Sequence, residues 1–240
     1  MTAESYQGYA EWKQWGSESF AICDPEAAAY FAGEMRGRDL RGKQVLELGF
    51  GNGRFLAFAR AQGATVYGTE LIPEAVELAK EQGVRIFAPD LSDAVAEYAG
   101  AFDIVVAFDL FEHLYPEDIQ RTFAQLAILL REGGVVIARF PNGGSPFGGV
   151  SQYGDHTHRT FLSASLLMQL LIGQPWRLKF AGNPYRSTMG SSLKRRIGLV
   201  VRHKLRDLIE FSVNRIWGMS STMDPNVVVV IEKVKPAFTG

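Results

Sequence analysis

The spacing of short apolar runs between Lys43 and Phe140 constrains the fold of this chain more than any other feature. Runs at 44–48, 64–69, 84–88, 102–108 and 134–140 alternate with stretches of helical periodicity at 53–62, 73–82, 92–98 and 116–131. Strand-length runs separated by helix-length stretches predict βαβ units and a parallel sheet. Right-handed crossovers make that sheet doubly wound, an α/β fold. With 240 residues, 47% of them hydrophobic and 21% charged, the chain is long enough for one sizeable core and has the composition of neither a fibre nor a disordered segment. Beyond Phe140 the pattern predicts a Gly/Pro/Ser-rich loop at 141–154, a helix at 163–171, a strand at 177–182 and a buried, nearly continuous Val/Ile strand at 226–234. Residues 1–42 place Tyr6, Tyr9, Trp12, Trp15 and Phe20 ahead of a helical run at 25–36, and read as an N-terminal helical cap or as aromatics filling a core edge. Residues 43–190 and 220–240 then form the sheet domain, interrupted at 191–219 by a helical insertion long enough to need a reason.

The segment Val45-Leu46-Glu47-Leu48-Gly49-Phe50-Gly51-Asn52-Gly53 joins the first strand to the first helix of the sheet. Ligands of a doubly wound sheet bind beyond the carboxyl ends of its strands, and glycines there let the backbone turn sharply and approach a ligand without Cβ atoms in the way. The third glycine comes one position earlier than in the dinucleotide fingerprint, which disfavours a dehydrogenase. Glu47 would also repel a pyrophosphate at this turn; a ligand with an ammonium and a sulfonium suits that carboxylate better. Glu70 ends the second run, where it can accept both hydroxyls of a ribose, and it fits the nucleoside of S-adenosylmethionine (SAM) or of NAD alike. Asp90 and Leu91 end the third run, where the carboxylate can take an adenine amino group and the leucine can line the ring. Asp90 equally fits a helix N-cap. Phe108 and Asp109 end the fourth run beside the glycine turn.

Together with the stretches 102–114 and 129–137, these residues resemble the class I SAM-dependent methyltransferases, particularly the group of small-molecule and ubiquinone-type enzymes. The resemblance implies a seven-stranded sheet whose last strand inserts antiparallel, SAM as cofactor and S-adenosyl-L-homocysteine as product. It places Glu47, Gly49, Gly51 and Gly53 at the methionine part, Glu70 at the ribose and Asp90 with Leu91 at the adenine, with Leu71, Phe108 and Asp109 completing the cofactor site.

Methyl transfer to an alcohol needs a positioned nucleophile and a base near the fourth and fifth strand ends. His113 follows the fourth strand, and Asp155-His156-Thr157-His158 follows the fifth, so two of only four histidines flank one threonine beside a carboxylate. Asp155 could orient either imidazole as base, or the stretch caps the next helix and braces the loop. The same residues could hold a divalent ion, but their spacing matches no strong ligand pattern and a base is the preferred reading, with no metal assigned. The same stretch is similar to methyltransferases of surface-polysaccharide biosynthesis, which points to O-methylation of a glycan or lipid-linked small molecule. A non-catalytic SAM-binding partner protein and an RNA methyltransferase are the alternatives.

From 191 to 217 Lys194, Arg195, Arg196, Arg202, Lys204, Arg206 and Arg215 face only Asp207 and Glu210, while Leu193, Ile197, Val200, Val201, Leu205, Leu208 and Ile216 share a broad helical face. Such a helix can lie on an anionic membrane surface, or form a lid over the acceptor pocket or a dimer contact. A net charge of −1 argues against nucleic acid as the main partner. The single Cys23 excludes an internal disulfide, and with no basic-then-apolar start the expected location is cytoplasmic, peripheral to the inner membrane face if the basic helix binds lipid.

Overall fold

The computed structural model describes residues 12–13, 16–189 and 192–235. Tyr6, Tyr9 and Trp15 of the expected cap, and Ser191 at the start of the expected insertion, lie outside the described residues. Seven strands, β1 (Gln44–Leu48), β2 (Thr65–Thr69), β3 (Arg85–Ile86), β4 (Phe102–Phe108), β5 (Leu130–Pro141), β6 (Trp176–Gly182) and β7 (Asn226–Lys233), form one sheet in the order β3-β2-β1-β4-β5-β7-β6. The first five are parallel and β7 runs antiparallel between β5 and β6, as the resemblance implied. The described residues also form helices α1 (Pro25–Glu34), α2 (Arg54–Ala61), α3 (Pro73–Glu81), α4 (Ser92–Glu97), α5 (Pro116–Leu129), α6 (Gly148–Gln152), α7 (Ala164–Leu170) and α8 (Leu193–Trp217).

Consecutive strand residues point to opposite faces, and here both are apolar. Leu46 and Val105 pack with Ile119, Phe123 and Leu126 of α5, whereas Val45 and Val106 pack with Phe55 and Phe58 of α2. Truncating a fully buried ring such as Phe123 to alanine costs roughly 3–5 kcal/mol. The strand order reverses between β1 and β4, so the loops leaving their carboxyl ends diverge and open a cleft.

Several boundaries differ from expectation for local reasons. β3 keeps only two of the five expected residues, because Pro89 has no N–H to continue a ladder and the Ala88 N–H is taken by the Asp93 carboxylate at 3.1 Å. Helix α5 stops at Leu129 rather than Arg131: Leu130 is already extended (ψ 141°) and pairs with Phe102, so β5 begins early and bulges past Gly133 (φ 71°). The expected loop at 141–154 contains the short helix α6.

Helix α1 starts at Asp24, whose carboxylate accepts the Ala27 N–H at 2.9 Å and pairs with Arg54 at 2.5 Å. Phe31 of α1 stacks on Phe108 (5.8 Å between centroids) and meets Phe55 edge-on (5.4 Å), which sets the helix over the cleft. Buried Glu34 accepts the Tyr185 N–H at 2.6 Å, tying α1 to the segment after β6.

Helix α8 has no buried residue over its 25 positions. Polar tethers hold it: Glu210 accepts from Asn183 Nδ2 and the Met223 N–H (both 2.8 Å), Asp207 pairs with Arg186 (2.7 Å) and Asn214 Nδ2 donates to the Ser221 carbonyl (2.8 Å). These groups turn one side of the helix to the protein and leave Ile197, Val201, Leu205 and Leu208 exposed on the other. Among the described residues no helix is long and apolar enough to cross a membrane.

Candidate cofactor and acceptor site

A cavity of about 800 Å³ opens at the cleft between β1 and β4. Its floor is the loop after β1. Gly49, Gly51 and Gly53 adopt positive φ angles of 64°, 53° and 70°, a region that admits glycine without the clash a Cβ brings. The Gly49 and Phe50 N–H groups donate to the Thr69 carbonyl (2.9 and 3.2 Å). One Glu70 oxygen accepts the Gly51 N–H at 2.7 Å, and the other accepts from Leu71 and Ile72 (2.6 and 3.1 Å). Glu70 thus locks the loop to the end of β2. A Cβ on Gly68 would stand 2.5 Å from the Phe50 ring, so the strand beneath the loop must also lack a side chain there.

Glu47 is only 4% exposed and lines the cavity, and its Oε2 has no hydrogen-bond partner among the described residues. Burial, then the neighbouring charge of Glu70, hold its carboxyl well above the ordinary range. A buried acceptor atom without a donor is costly, and a cation entering the cavity would relieve it. This orphaned oxygen and the glycine-built loop, whose side chains are Phe50 and Asn52, fit SAM, whose ammonium and sulfonium are cationic.

The far wall carries Phe108 and Asp109. Asp109 sits at φ 58° and chelates Arg139, with Nε at 2.8 Å and a second, shorter contact from Nη2; Arg139 also donates to the Tyr30 hydroxyl at 2.7 Å. Leu71 and Leu91 line the cavity. Asp90 is not among the lining residues. It is exposed, and its carboxylate accepts from the Ser92 N–H and hydroxyl (3.1 and 2.7 Å), holding the first turn of α4 as a cap would.

Of the four residues expected to serve the chemistry, three come together. His113 lines the cavity and its Nδ1 lies 2.9 Å from the Thr157 hydroxyl, which donates to Asp155 at 2.5 Å. A hydroxyl has one proton to give, so Thr157 accepts from His113 and the neutral ring carries its proton on Nδ1, leaving Nε2 unprotonated. Burial, then the adjacent His158, lower the His113 pKa from 6.5 to about 4. His158 stands edge-on to His113 (4.7 Å) with Nδ1 on the Gln152 carbonyl (2.9 Å). His156 is exposed, away from the cavity. Glu112, 1% exposed and with no hydrogen-bond partner for its Oε2 among the described residues, joins the two rings: its carboxylate and a nitrogen of each lie within 4.8 Å of one another. The sequence spacing gave no hint of this grouping of ligand-type atoms.

The remaining wall comes from α8, where Leu199, Arg202, His203 and Arg206 line the cavity beside Arg186.

Against known proteins, the model of the methyltransferase-domain family matches residues 24–208. The chain belongs to the class I SAM-dependent methyltransferase family. Its curated relatives include ubiquinone biosynthesis O-methyltransferases from Escherichia coli O127:H6 (32% identical over 110 residues, 43% of this chain and 45% of the relative) and from Aromatoleum aromaticum (36% over 107 residues, 42% and 45%). The chain spans about half the length of the curated relatives it matches. Among solved structures, a SAM-dependent methyltransferase from Archaeoglobus fulgidus superposes with a TM-score of 0.61 at 17% identity, covering 95% of this chain and 99% of that one, a likeness of fold.

Within this methyltransferase fold, sequence reasoning missed Thr157 and Glu112 as members of the histidine cluster, and missed His203 altogether. The signal for His203 was present: residues 199, 202, 203 and 206 share one side of a helix.

Proposed function

We propose that this chain transfers the methyl group of SAM to an oxygen of a glycan or lipid-linked small molecule. The observation that carries the reading is the unpartnered Oε2 of Glu47, buried in the wall of a cavity floored by three left-handed glycines. Glu47 and the loop would hold the methionine part, Glu70 and Leu71 the ribose, and Leu91 the adenine ring. Bound SAM supplies a methyl group on a sulfonium, a centre with a neutral leaving group. The protein positions the nucleophile and removes its proton. Nε2 of His113 is the base, oriented by Thr157 and Asp155, and the imidazolium it becomes is flanked by Asp155 and Glu112.

Support for a lipid-linked acceptor comes from the outward side of α8. Ile197, Val201, Leu205 and Leu208 are 56%, 52%, 54% and 59% exposed there, with Lys194, Lys204 and Arg215 among them. An apolar face edged by basic residues fits an anionic membrane surface, each near-surface lysine or arginine contributing about 1 kcal/mol.

Calorimetry of SAM with wild type and Glu70→Ala tests the cofactor assignment. Removing Glu70 strips three backbone N–H groups of their acceptor and frees the loop, so affinity should fall at least about tenfold. Equal affinity in the variant contradicts the assignment.

A further inference from the structure

The two ends of the cavity differ in charge. Glu47 and Glu70 belong to the floor, whereas Arg202, His203 and Arg206 of α8 line the other end with Arg186 from the segment after β6. Arg186 is paired twice, Nε to Asp224 at 2.9 Å and Nη1 to Asp207 at 2.7 Å, and Arg206 shares Asp224 at 3.1 Å. Arg202 has no carboxylate partner among the described residues. Three guanidinium groups and an imidazole therefore meet two carboxylates, Asp207 and Asp224, neither of which lines the cavity, while Glu26, which does, pairs with Arg195 of α8 at 3.9 Å. Arg186 and Asp224, 14% and 9% exposed, anchor the group to the protein, and the exposed side chains of Arg202 and Arg206 extend from α8 beside them. His203 registers the imbalance: burial, then the charges of Arg186, Arg202 and Arg206, hold its imidazole below the ordinary range.

A cluster of guanidinium forks that outnumbers its carboxylates suits a multiply charged, multi-oxygen anion better than a single carboxylate, because each fork can give two parallel hydrogen bonds to phosphate oxygens. SAM carries no phosphate, so the anion belongs to the other reactant. We infer that Arg202, His203 and Arg206 seat a phosphate or diphosphate group of the methyl acceptor, with Arg186 as fixed positive backing. This rests on the reading of the cavity as a site of methyl transfer. The seat places the charged group of the acceptor against α8 and its hydroxyl toward His113, which also lines the cavity.

Calorimetric titration of the full chain with inorganic diphosphate tests the seat, alongside SAM titrations of the same samples. Wild type should bind diphosphate saturably, with or without SAM. Arg202→Gln should weaken diphosphate binding about tenfold or more while its SAM affinity stays at the wild-type value. No saturable binding, unchanged binding in Arg202→Gln, or displacement of SAM by diphosphate each overturns the inference. Diphosphate binding without SAM binding keeps the seat and removes the methyl-transfer reading; the converse removes the seat alone. The source of the phosphate is separated by comparing a short, water-soluble isoprenyl diphosphate with phosphatidylcholine vesicles doped with a long-chain one. Preferential, Arg202-dependent capture by the doped vesicles assigns a lipid-borne diphosphate. Equal Arg202-dependent affinity for both assigns a soluble phosphate ester, and capture of neither counts against the seat.

Discussion

Around Glu47 the cavity is built from backbone and one desolvated carboxylate; around His203 it is built from long cationic side chains on a helix with no buried residue. The first end is rigid because its geometry is covalently local. Gly49, Gly51 and Gly53 lie between a central strand and the helix it feeds, and Glu70 clamps the loop from the neighbouring strand. The second end is held by a few polar tethers across long sequence separations, such as Asn183 to Glu210. In the proposed reading, recognition at the first end rests on a fixed shape and an orphaned carboxylate oxygen, and at the second on excess charge.

The sharpest way to break this contrast is Glu47→Gln. In the ligand-free protein the Glu47 carboxyl is held above its ordinary range, and a bound cation favours the ionised form. SAM affinity should therefore rise as pH rises through the ligand-free value, and the slope should vanish in the variant. Truncating one partner of a buried charge pair typically costs about 2–5 kcal/mol, so SAM affinity at neutral pH should fall by at least about thirtyfold. Because the folded state keeps this proton longer than the unfolded chain, stability of the ligand-free protein falls as pH climbs above the ordinary carboxyl value. Glu47→Gln removes that loss, and should melt at a higher temperature than wild type at neutral pH while binding SAM worse. A lower Tm would show that Glu47 already has a partner.

Between the two ends, His113 offers a smaller effect of opposite sign. Its folded pKa of about 4 lies below the unfolded 6.5, so the stability it contributes is complete above pH 6.5 and is lost as pH falls toward 4. The loss is about 3 kcal/mol over that window, and denaturant titrations of His113→Asn should lack it. The same cluster distinguishes base from metal ligand. With His113 as base, turnover persists after dialysis against a chelator; activity lost and then restored by a divalent ion would reassign Glu112, His113 and His158 as its ligands. The smallest effect on folding is expected at the outward face of α8. Phe211 is 68% exposed, so Phe211→Ser should shift stability by less than about 0.5 kcal/mol. The same change should reduce flotation with anionic vesicles, and an unaltered flotation profile would remove the membrane reading.

The contrast also explains what the sequence made legible. The sheet and the glycine floor were readable because strand, turn and helix follow one another within a dozen residues and their periodicities differ. Boundaries failed where a single hydrogen bond decides, as at Ala88, whose N–H goes to Asp93. Asp90 was read either as a ligand for adenine or as a helix cap, and in the structure its carboxylate accepts from Ser92 at the start of α4. At Asp155–His158 the pattern gave the residues and hid their directions: His158 turns in and His156 turns out, a choice made by Gln152 and by Thr157 bonding to His113, 44 residues away. Periodicity proposed an apolar face on α8 and could not say which side looks inward. Asp207, Glu210 and Asn214 settle that through partners elsewhere in the chain.

That α8 hides no side chain bears on how such a protein diversifies. The segment between the β6 edge and β7 can change its length, its charge or its greasiness without opening a void in the interior, so selection can rewrite what the pocket welcomes while the donor cradle goes untouched. Transplanting this one stretch into a cousin with a different acceptor would be an economical route to a new specificity.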